Sequence, residues 1–215
     1  MAIYFDIETA PLESQKLNAL MPVFKARANI KDPEKIEADI REKIAEFIAN
    51  AALGASTGRV LAVGFARGNE DDVEFIEGEE EQILSNFWRL ITDERGVILE
   101  DVIGFNSNSF DVPFLIRRSF ILGVKIPATA TSIWRNKTYL NSSFKDVMDV
   151  WACGTREMVS LDHLSKALGI GSKNGDGALF YKLYAQDRPA ALEYLKNDVE
   201  LTRACALRLG MAKWM

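Results

Sequence analysis

Apolar and polar positions alternate over residues 2–8 (AIYFDIE). Ile3, Phe5 and Ile7 fall on one face and Tyr4, Asp6 and Glu8 on the other, which predicts a strand whose two carboxylates share a face. Residues 58–67 (GRVLAVGFAR), 72–76 (DVEFI) and 97–104 (VILEDVIG) read as three further strands. Between the last two, EEEQILSNFWRLITDERG sets Ile83, Phe87, Leu90 and Ile91 at helical spacing, with acids in the first turn and a glycine after the end. The spacing is helical again from Val112 to Leu122. A lysine- and threonine-rich stretch around Trp134 then leads to a candidate strand and to SLDHLSKALGI, a capped short helix. Two helices close the chain, at about 177–186 and 188–209.

β-rich segments followed by alternating helix and strand predict an α/β fold, a mixed β-sheet flanked by helices, rather than a helical bundle. The first connection is too long for a hairpin: residues 10–57 separate the first two strands. Within it, KDPEKIEADIREKIAEFIANAALG carries Ile36, Ile40, Phe47, Ile48 and Ala51 on one helical face. Lys35, Glu37, Asp39, Arg41, Glu42, Lys43 and Glu46 form an outer face charged in both signs. This predicts a helical insertion after the first strand, its helix at about 33–52. It would either wall a groove beside Glu8 or decorate the sheet.

The chain has 215 residues, 48% hydrophobic and 27% charged, which suits one folded domain over 1–215 and excludes a disordered or low-complexity chain. Cys153 and Cys205 cannot build a disulfide framework and match no zinc-site spacing, so a reducing cytoplasm is the expected location. MAIYFDIETA has no basic leader region, and no run of about 18 apolar residues occurs, so neither a secretory signal nor a membrane partner is expected. A net charge of −5 argues against a basic coat for nucleic acid. Cations held by carboxylates could still face a phosphate.

Three places carry chemistry. Asp6 and Glu8, about 7 Å apart along the strand, would be costly to bury unpaired, and a metal ion removes that cost. Asp111 ends the polar loop of GFNSNSFDVPFL, at a strand end where α/β sheets bind ligands; capping of the helix before Pro113 competes for its oxygens. In EYLKNDVELT, Leu192, Leu195, Val199, Thr202 and Ala206 form the buried stripe of a helix, and Tyr194 and Asp198 share its edge. Four carboxylates without His or Cys neighbours suit hard divalent cations, Mg²⁺ or Mn²⁺. Two such ions about 4 Å apart suit phosphodiester hydrolysis, with Tyr194, ordinarily of pKa about 10, neutral and placed to orient water.

FDIET, the N-x3-F-D loop ending at Asp111 and YLKND ending at Asp198 resemble, in order, the three exonuclease motifs of the DEDD 3'-5' exonucleases, which have an RNase H-like fold. The tyrosine four residues before the last aspartate resembles the DEDDy branch; the sister branch carries His one position earlier, where this chain has Glu193. The likeness extends to predicted 3'-5' exonucleases related to the proofreading domain of family B DNA polymerases. It implies that Asp6, Glu8, Asp111 and Asp198 hold two Mg²⁺ or Mn²⁺ ions, that Tyr194 orients water, and that Asn106 and Phe110 lie near the terminal nucleotide. The implied substrate is the 3' end of DNA, and single strands are the expected form, because an insertion walling the groove beside Glu8 would limit access by duplex. RNA is the alternative, and a catalytically silent nucleic-acid-binding module of the same fold is a second. With no polymerase portion, the implied protein partners are replication or repair proteins acting in trans. His163 reads as a partly exposed helix residue, and Asp146 and Asp149 as a solvated pair that could line the site. Arg117, Arg118, Arg135, Lys137 and Lys145, with Trp134, form a loose stretch that could track phosphates.

Overall fold

A computed structural model describes residues 2–68, 72–130, 142–175 and 177–211. Its first strand, β1 (Ala2–Pro11), is followed by α1 (Ser14–Leu20), α2 (Pro33–Ala49), β2 (Gly58–Arg67), β3 (Glu74–Glu77) and α3 (Glu80–Leu90). Then come β4 (Asp101–Gly104), α4 (Asp111–Leu122), β5 (Phe144–Asp146), α5 (Val147–Ala152), α6 (Leu161–Ala167), α7 (Phe180–Gln186) and α8 (Arg188–Arg208). The five strands form one mixed sheet in the order β3-β2-β1-β4-β5. β1 runs antiparallel to β2 and parallel to β4, and β5 continues the parallel half. This is the RNase H-like mixed sheet that the sequence predicts.

β1 is buried on both faces. Ile3, Phe5 and Ile7 join Phe87 and Trp88 of α3 and Phe114 and Leu115 of α4 in one cluster. Ala2 and Tyr4 join Leu164 of α6, Phe180 of α7, and Leu195 and Val199 of α8 in the other. Alternation marks which residues share a face; here α8 covers that face so that Tyr4 and Glu8 are buried, while Asp6 is half-buried at the cleft.

Gly64 of β2 lies opposite Asp6 and sets how closely α8 can approach. A β-carbon there would come within 2.8 Å of Leu195 Cγ and 3.0 Å of Val199 Cγ2. A glycine inside a strand commonly marks such a close approach. Gly64→Val should force α8 away from the sheet. The expected loss is about 1–3 kcal/mol of stability, the usual effect of overpacking. Urea melts of the variant and the wild type check this, and a wild-type midpoint would contradict it.

The fourth strand is shorter than its apolar run. Val97 N–H donates to the Asp93 carboxylate at 2.8 Å instead of a neighbouring strand, so pairing starts at Asp101. Of the basic stretch, Trp134, Arg135 and Lys137 lie outside the described residues. Arg117 is exposed, but Arg118 is buried in a forked pair with Glu80 at 2.8 and 2.7 Å, and Lys145 pairs with Asp101 at 2.7 Å. Arg118 and Lys145 therefore serve structural pairs and not a phosphate track.

The insertion departs from its predicted pattern. Ile36, Ile40, Ile44 and Phe47 of α2 are only half-buried, and Ile48 is exposed. The face is covered in part by residues 21–30, where Phe24 meets Phe47 edge-on at 6.0 Å. Asp39, expected on the outer charged face, is the residue α2 buries. Its carboxylate accepts from Arg27 N–H at 3.1 Å and pairs with Lys43 at 2.9 Å, so it fastens the preceding loop to the helix.

Candidate active site

The site forms where β1 outruns its neighbour. Pairing with β4 ends at Tyr4–Ile103, so the β1 edge beyond Tyr4 has no strand to bond on that side. Ile7 N–H, which faces that gap, donates instead to Asp111 Oδ1 at 3.1 Å. Asp111 is therefore the first residue of α4 and not its cap, a position taken by Phe110 without any side-chain hydrogen bond. The pairing register with β2 shifts directly after Glu8, a bulge of the kind that re-aims side chains beside active sites.

On the other side of the cleft, α8 supplies Tyr194 and Asp198. Both lie inside the molecule, 4% and 3% exposed, and not at the margin of a buried stripe; Leu192, expected within the stripe, is only half-buried. One carboxylate oxygen each from Asp6, Glu8 and Asp198 lies within 4.8 Å of the others. Asp111 stands beside this group, close enough to act on Asp6 electrostatically, and is not within it. The cleft is about 360 Å³ and is lined by all four acids, Tyr194, Asn106, Phe110, Lys173 and the exposed Met158. None of residues 9–57 lines it.

Lys173 was not legible in the sequence. It lies in a glycine-rich loop with no periodic neighbours, 25 residues before its partner, so no local pattern marks it. Its ammonium pairs with Asp198 Oδ2 at 2.6 Å and lies 5.0 Å from the centroid of the Tyr194 ring. The loop packs hard on that tyrosine: a β-carbon at Gly175 would come within 2.7 Å of Tyr194 Cδ2, and one at Gly177 within 3.1 Å of its hydroxyl. The Tyr194 hydroxyl is buried beside the Asp198 carboxylate, and each acts on the other's ionisation.

Burial, then repulsion from Asp111 and Asp198, pushes the Asp6 carboxyl well above its ordinary value. Burial, then Asp6 and Asp198, does the same to Glu8. Asp111 is pushed up to about 7, chiefly by burial, against the Ile7 N–H that favours its charge. Asp198 is raised by burial and pulled back by Lys173. The Tyr194 hydroxyl is pushed far up by burial and by Asp198, Glu8 and Asp6, so it stays protonated at any physiological pH.

These residues fit hard divalent cations. The donors are all carboxylate oxygens, one each from Asp6, Glu8 and Asp198 converges within 4.8 Å, and a single lysine ammonium offsets only part of their charge. A pH dependence follows. Carboxyls raised in the folded state bind more protons there than in the unfolded chain, so the metal-free protein should lose stability as pH rises from about 4 to about 7. The lowered carboxyls of Asp39, Asp93 and Asp162 contribute in the opposite sense, and only as pH falls through the ordinary aspartate range. Mn²⁺ at a concentration about 100 times its Kd at pH 8 should raise stability there by about 2.7 kcal/mol, and the same concentration should add less at pH 5.5, where protons compete for the carboxylates. Urea melts with EDTA and with Mn²⁺ across that range measure both effects. Metal-free stability that climbs steadily from pH 5 to 8 would contradict the assignment.

Other sequence candidates fall into place. Asn106 and Phe110 line the cleft, the Phe110 ring tilted on Phe114 at 5.5 Å. His163 is exposed on α6, away from the cleft lining. Asp149 is exposed, but Asp146 is buried and not part of a solvated pair.

A mixed sheet of this order, with acids gathered at the unpaired end of its central strand, defines an RNase H-like architecture. The chain belongs to the family of predicted 3'-5' exonucleases related to the exonuclease domain of PolB, whose profile matches residues 40–213. That match takes in Asp111, Tyr194 and Asp198 and begins after Asp6 and Glu8, which join them through the fold. Among solved structures the chain is similar to the family B DNA polymerase from the hyperthermophilic archaeon Pyrobaculum calidifontis. The TM-score is 0.59 at 18% identity, over 97% of this chain and 24% of that one, a likeness of fold. No curated protein sequence matches it.

Proposed function

We propose that the protein removes nucleotides one at a time from the 3' end of single-stranded DNA, as one exonuclease domain over residues 1–215 carrying the insertion at about 10–57. The observation that carries this reading is the gathering of Asp6, Glu8 and Asp198 oxygens within 4.8 Å, with Asp111 beside them, in a cleft that also holds Tyr194 and Phe110. Asp6, Glu8, Asp111 and Asp198 would hold two Mg²⁺ or Mn²⁺ ions. Bound there, the ions would lower the pKa of the attacking water and stabilise negative charge on the phosphoryl and leaving oxygens.

The chain's own groups do the rest. Tyr194 stays neutral, and its hydroxyl, beside Asp198, would hold the water in line with the phosphorus without removing its proton. Lys173 favours the charged form of Asp198 against its burial. Phe110 offers a ring for a base to stack on, and Asn106 lines the same cleft near where the terminal nucleotide would lie. Attack on phosphorus with departure of the 3' oxygen releases a nucleoside 5'-monophosphate and leaves a strand one residue shorter.

Against a silent binding module stands the cost of the cluster: buried like charges are expensive to keep and have no use in a fold that has lost its cations. Two free cysteines, Cys153 exposed and Cys205 buried, suit the cytoplasm. The described residues contain no helix long and apolar enough to cross a membrane. A strand partner would be presented by replication or repair proteins in trans.

The test is a 5'-labelled single-stranded DNA incubated with the protein and Mn²⁺, with an RNA of the same sequence in parallel and EDTA as control. A ladder shortening from the 3' end, abolished by EDTA and faster on DNA, is expected. Faster shortening of RNA would move the assignment to an exoribonuclease, and binding without shortening would favour the silent module.

A further inference from the structure

We propose that Asp146 is a positioning residue of the nuclease site: its buried carboxylate fixes the loop that carries Asn106, Phe110 and Asp111. This deepens the reading above and rests on it. β4 and β5 end side by side, Gly104 opposite Asp146, and the chain leaving β4 turns back over the strand ends. That return is tight: a β-carbon on Gly104 would come within 2.4 Å of Ser107 Cβ. Asp146 is 2% exposed and bonded through both oxygens. Oδ1 accepts from Asn106 N–H at 2.8 Å and from Met148 N–H at 2.9 Å, and Oδ2 accepts from Asn108 N–H at 2.9 Å. Only the Met148 bond caps α5; the other two reach some forty residues back in sequence, into the loop before α4.

The bonds of that loop converge on the residue Asp146 holds. Asn106 has φ +55°, a left-handed conformation that residues with side chains avoid unless something fixes it. Its carbonyl accepts from Ser109 N–H at 3.1 Å and Phe110 N–H at 3.0 Å, and Ser107 O accepts from Val112 N–H at 2.9 Å. The backbone at Asn106 therefore decides where α4 begins, and with it where Asp111 meets Ile7. Asp146 does not belong to the three-acid group, and its oxygens are directed at backbone donors. It acts on the site through the loop, as a second-row carboxylate that orients a metal-holding one.

Asp146→Asn separates this role from simple capping. The amide keeps one acceptor oxygen but sets an NH₂ group against at least one backbone N–H, so the loop loses a bond in either orientation of the amide. The expected result is a kcat at saturating Mn²⁺ at least tenfold below wild type. The Mn²⁺ concentration for half-maximal rate should rise about tenfold, matched by weaker Mn²⁺ binding in electron paramagnetic resonance titration. Val102→Ala, a truncation in the core of β4, serves as the comparison: it should lower stability while leaving the Mn²⁺ requirement at the wild-type value. If Asp146→Asn does not fold, Asp146→Glu is measured in the same way. Wild-type Mn²⁺ affinity and rate in the folded variant, or activity lost only in proportion to the unfolded fraction, would overturn the proposal. Should the wild type itself hydrolyse nothing, the nuclease reading falls, and the Mn²⁺ titration still decides the positioning role.

Discussion

Asp6→Ala, Glu8→Ala, Asp111→Ala and Asp198→Ala should each lower metal-dependent hydrolysis of single-stranded DNA by about 10³-fold or more. Cations at such sites supply several kcal/mol of transition-state stabilisation, and each tenfold in rate takes about 1.4 kcal/mol. The stability of the metal-free variants distinguishes a functional cluster from a structural one. Asp6→Asn and Glu8→Gln remove charges that burial and each other's presence already disfavour, so both should melt no lower than wild type in EDTA at pH 8. Asp111→Ala is different, because it strips Ile7 N–H of its acceptor and should cost about 1–3 kcal/mol, which Asp111→Asn recovers without recovering activity. Rates near wild type in any of the four alanine variants would remove that residue from the site.

Tyr194→Phe should reduce turnover by about 10²-fold with Mn²⁺ affinity and melting temperature little changed. The ring is packed by Gly175 on one edge and by Phe180, whose centroid lies 6.1 Å away, and phenylalanine keeps both contacts. Only the hydroxyl is lost, and the Asp198 carboxylate beside it keeps its Lys173 partner at 2.6 Å, so no buried charge is left unpaired. The rate loss should be nearly the same from pH 6.5 to 9, since the hydroxyl stays protonated throughout and does not act as a base. A drop in stability with the rate preserved would make Tyr194 a packing residue.

What the sequence made legible follows from the range of the signals. The strand of Ile3, Phe5 and Ile7 declares itself by alternation within seven residues, and the i, i+4 spacing of Tyr194 and Asp198 by a single helical turn. The acid motifs and their order carried the nuclease resemblance and, with it, the sheet. Alternation did not say that the face of Tyr4, Asp6 and Glu8 is roofed, because the roof, α8, lies some 190 residues along the chain. Gly64 held a clue, as an interior glycine in a strand, but not the identity of the helix it admits.

Single charged residues were the hardest to place. Asp39, Asp146 and Lys173 each sit in text that reads as solvated surface, and each is fixed by a partner brought in by the fold: Arg27 and Lys43, the backbone of 106–108, and Asp198. Asp111 offered two readings, cap and ligand, and the structure gives its oxygen to a third group, the unpaired N–H of Ile7. The insertion misled for a related reason. Its apolar face at Ile36, Ile40 and Phe47 suggested burial against the sheet, whereas a short local loop covers it in part.

Anomalous scattering from crystals of the protein grown with Mn²⁺ tests the central claim most directly. Two manganese peaks about 4 Å apart, ligated by Asp6, Glu8, Asp111 and Asp198 with the Lys173 ammonium displaced from Asp198, are the predicted result. Absence of manganese from this cleft at concentrations that support hydrolysis, with the Lys173–Asp198 pair intact, would contradict it.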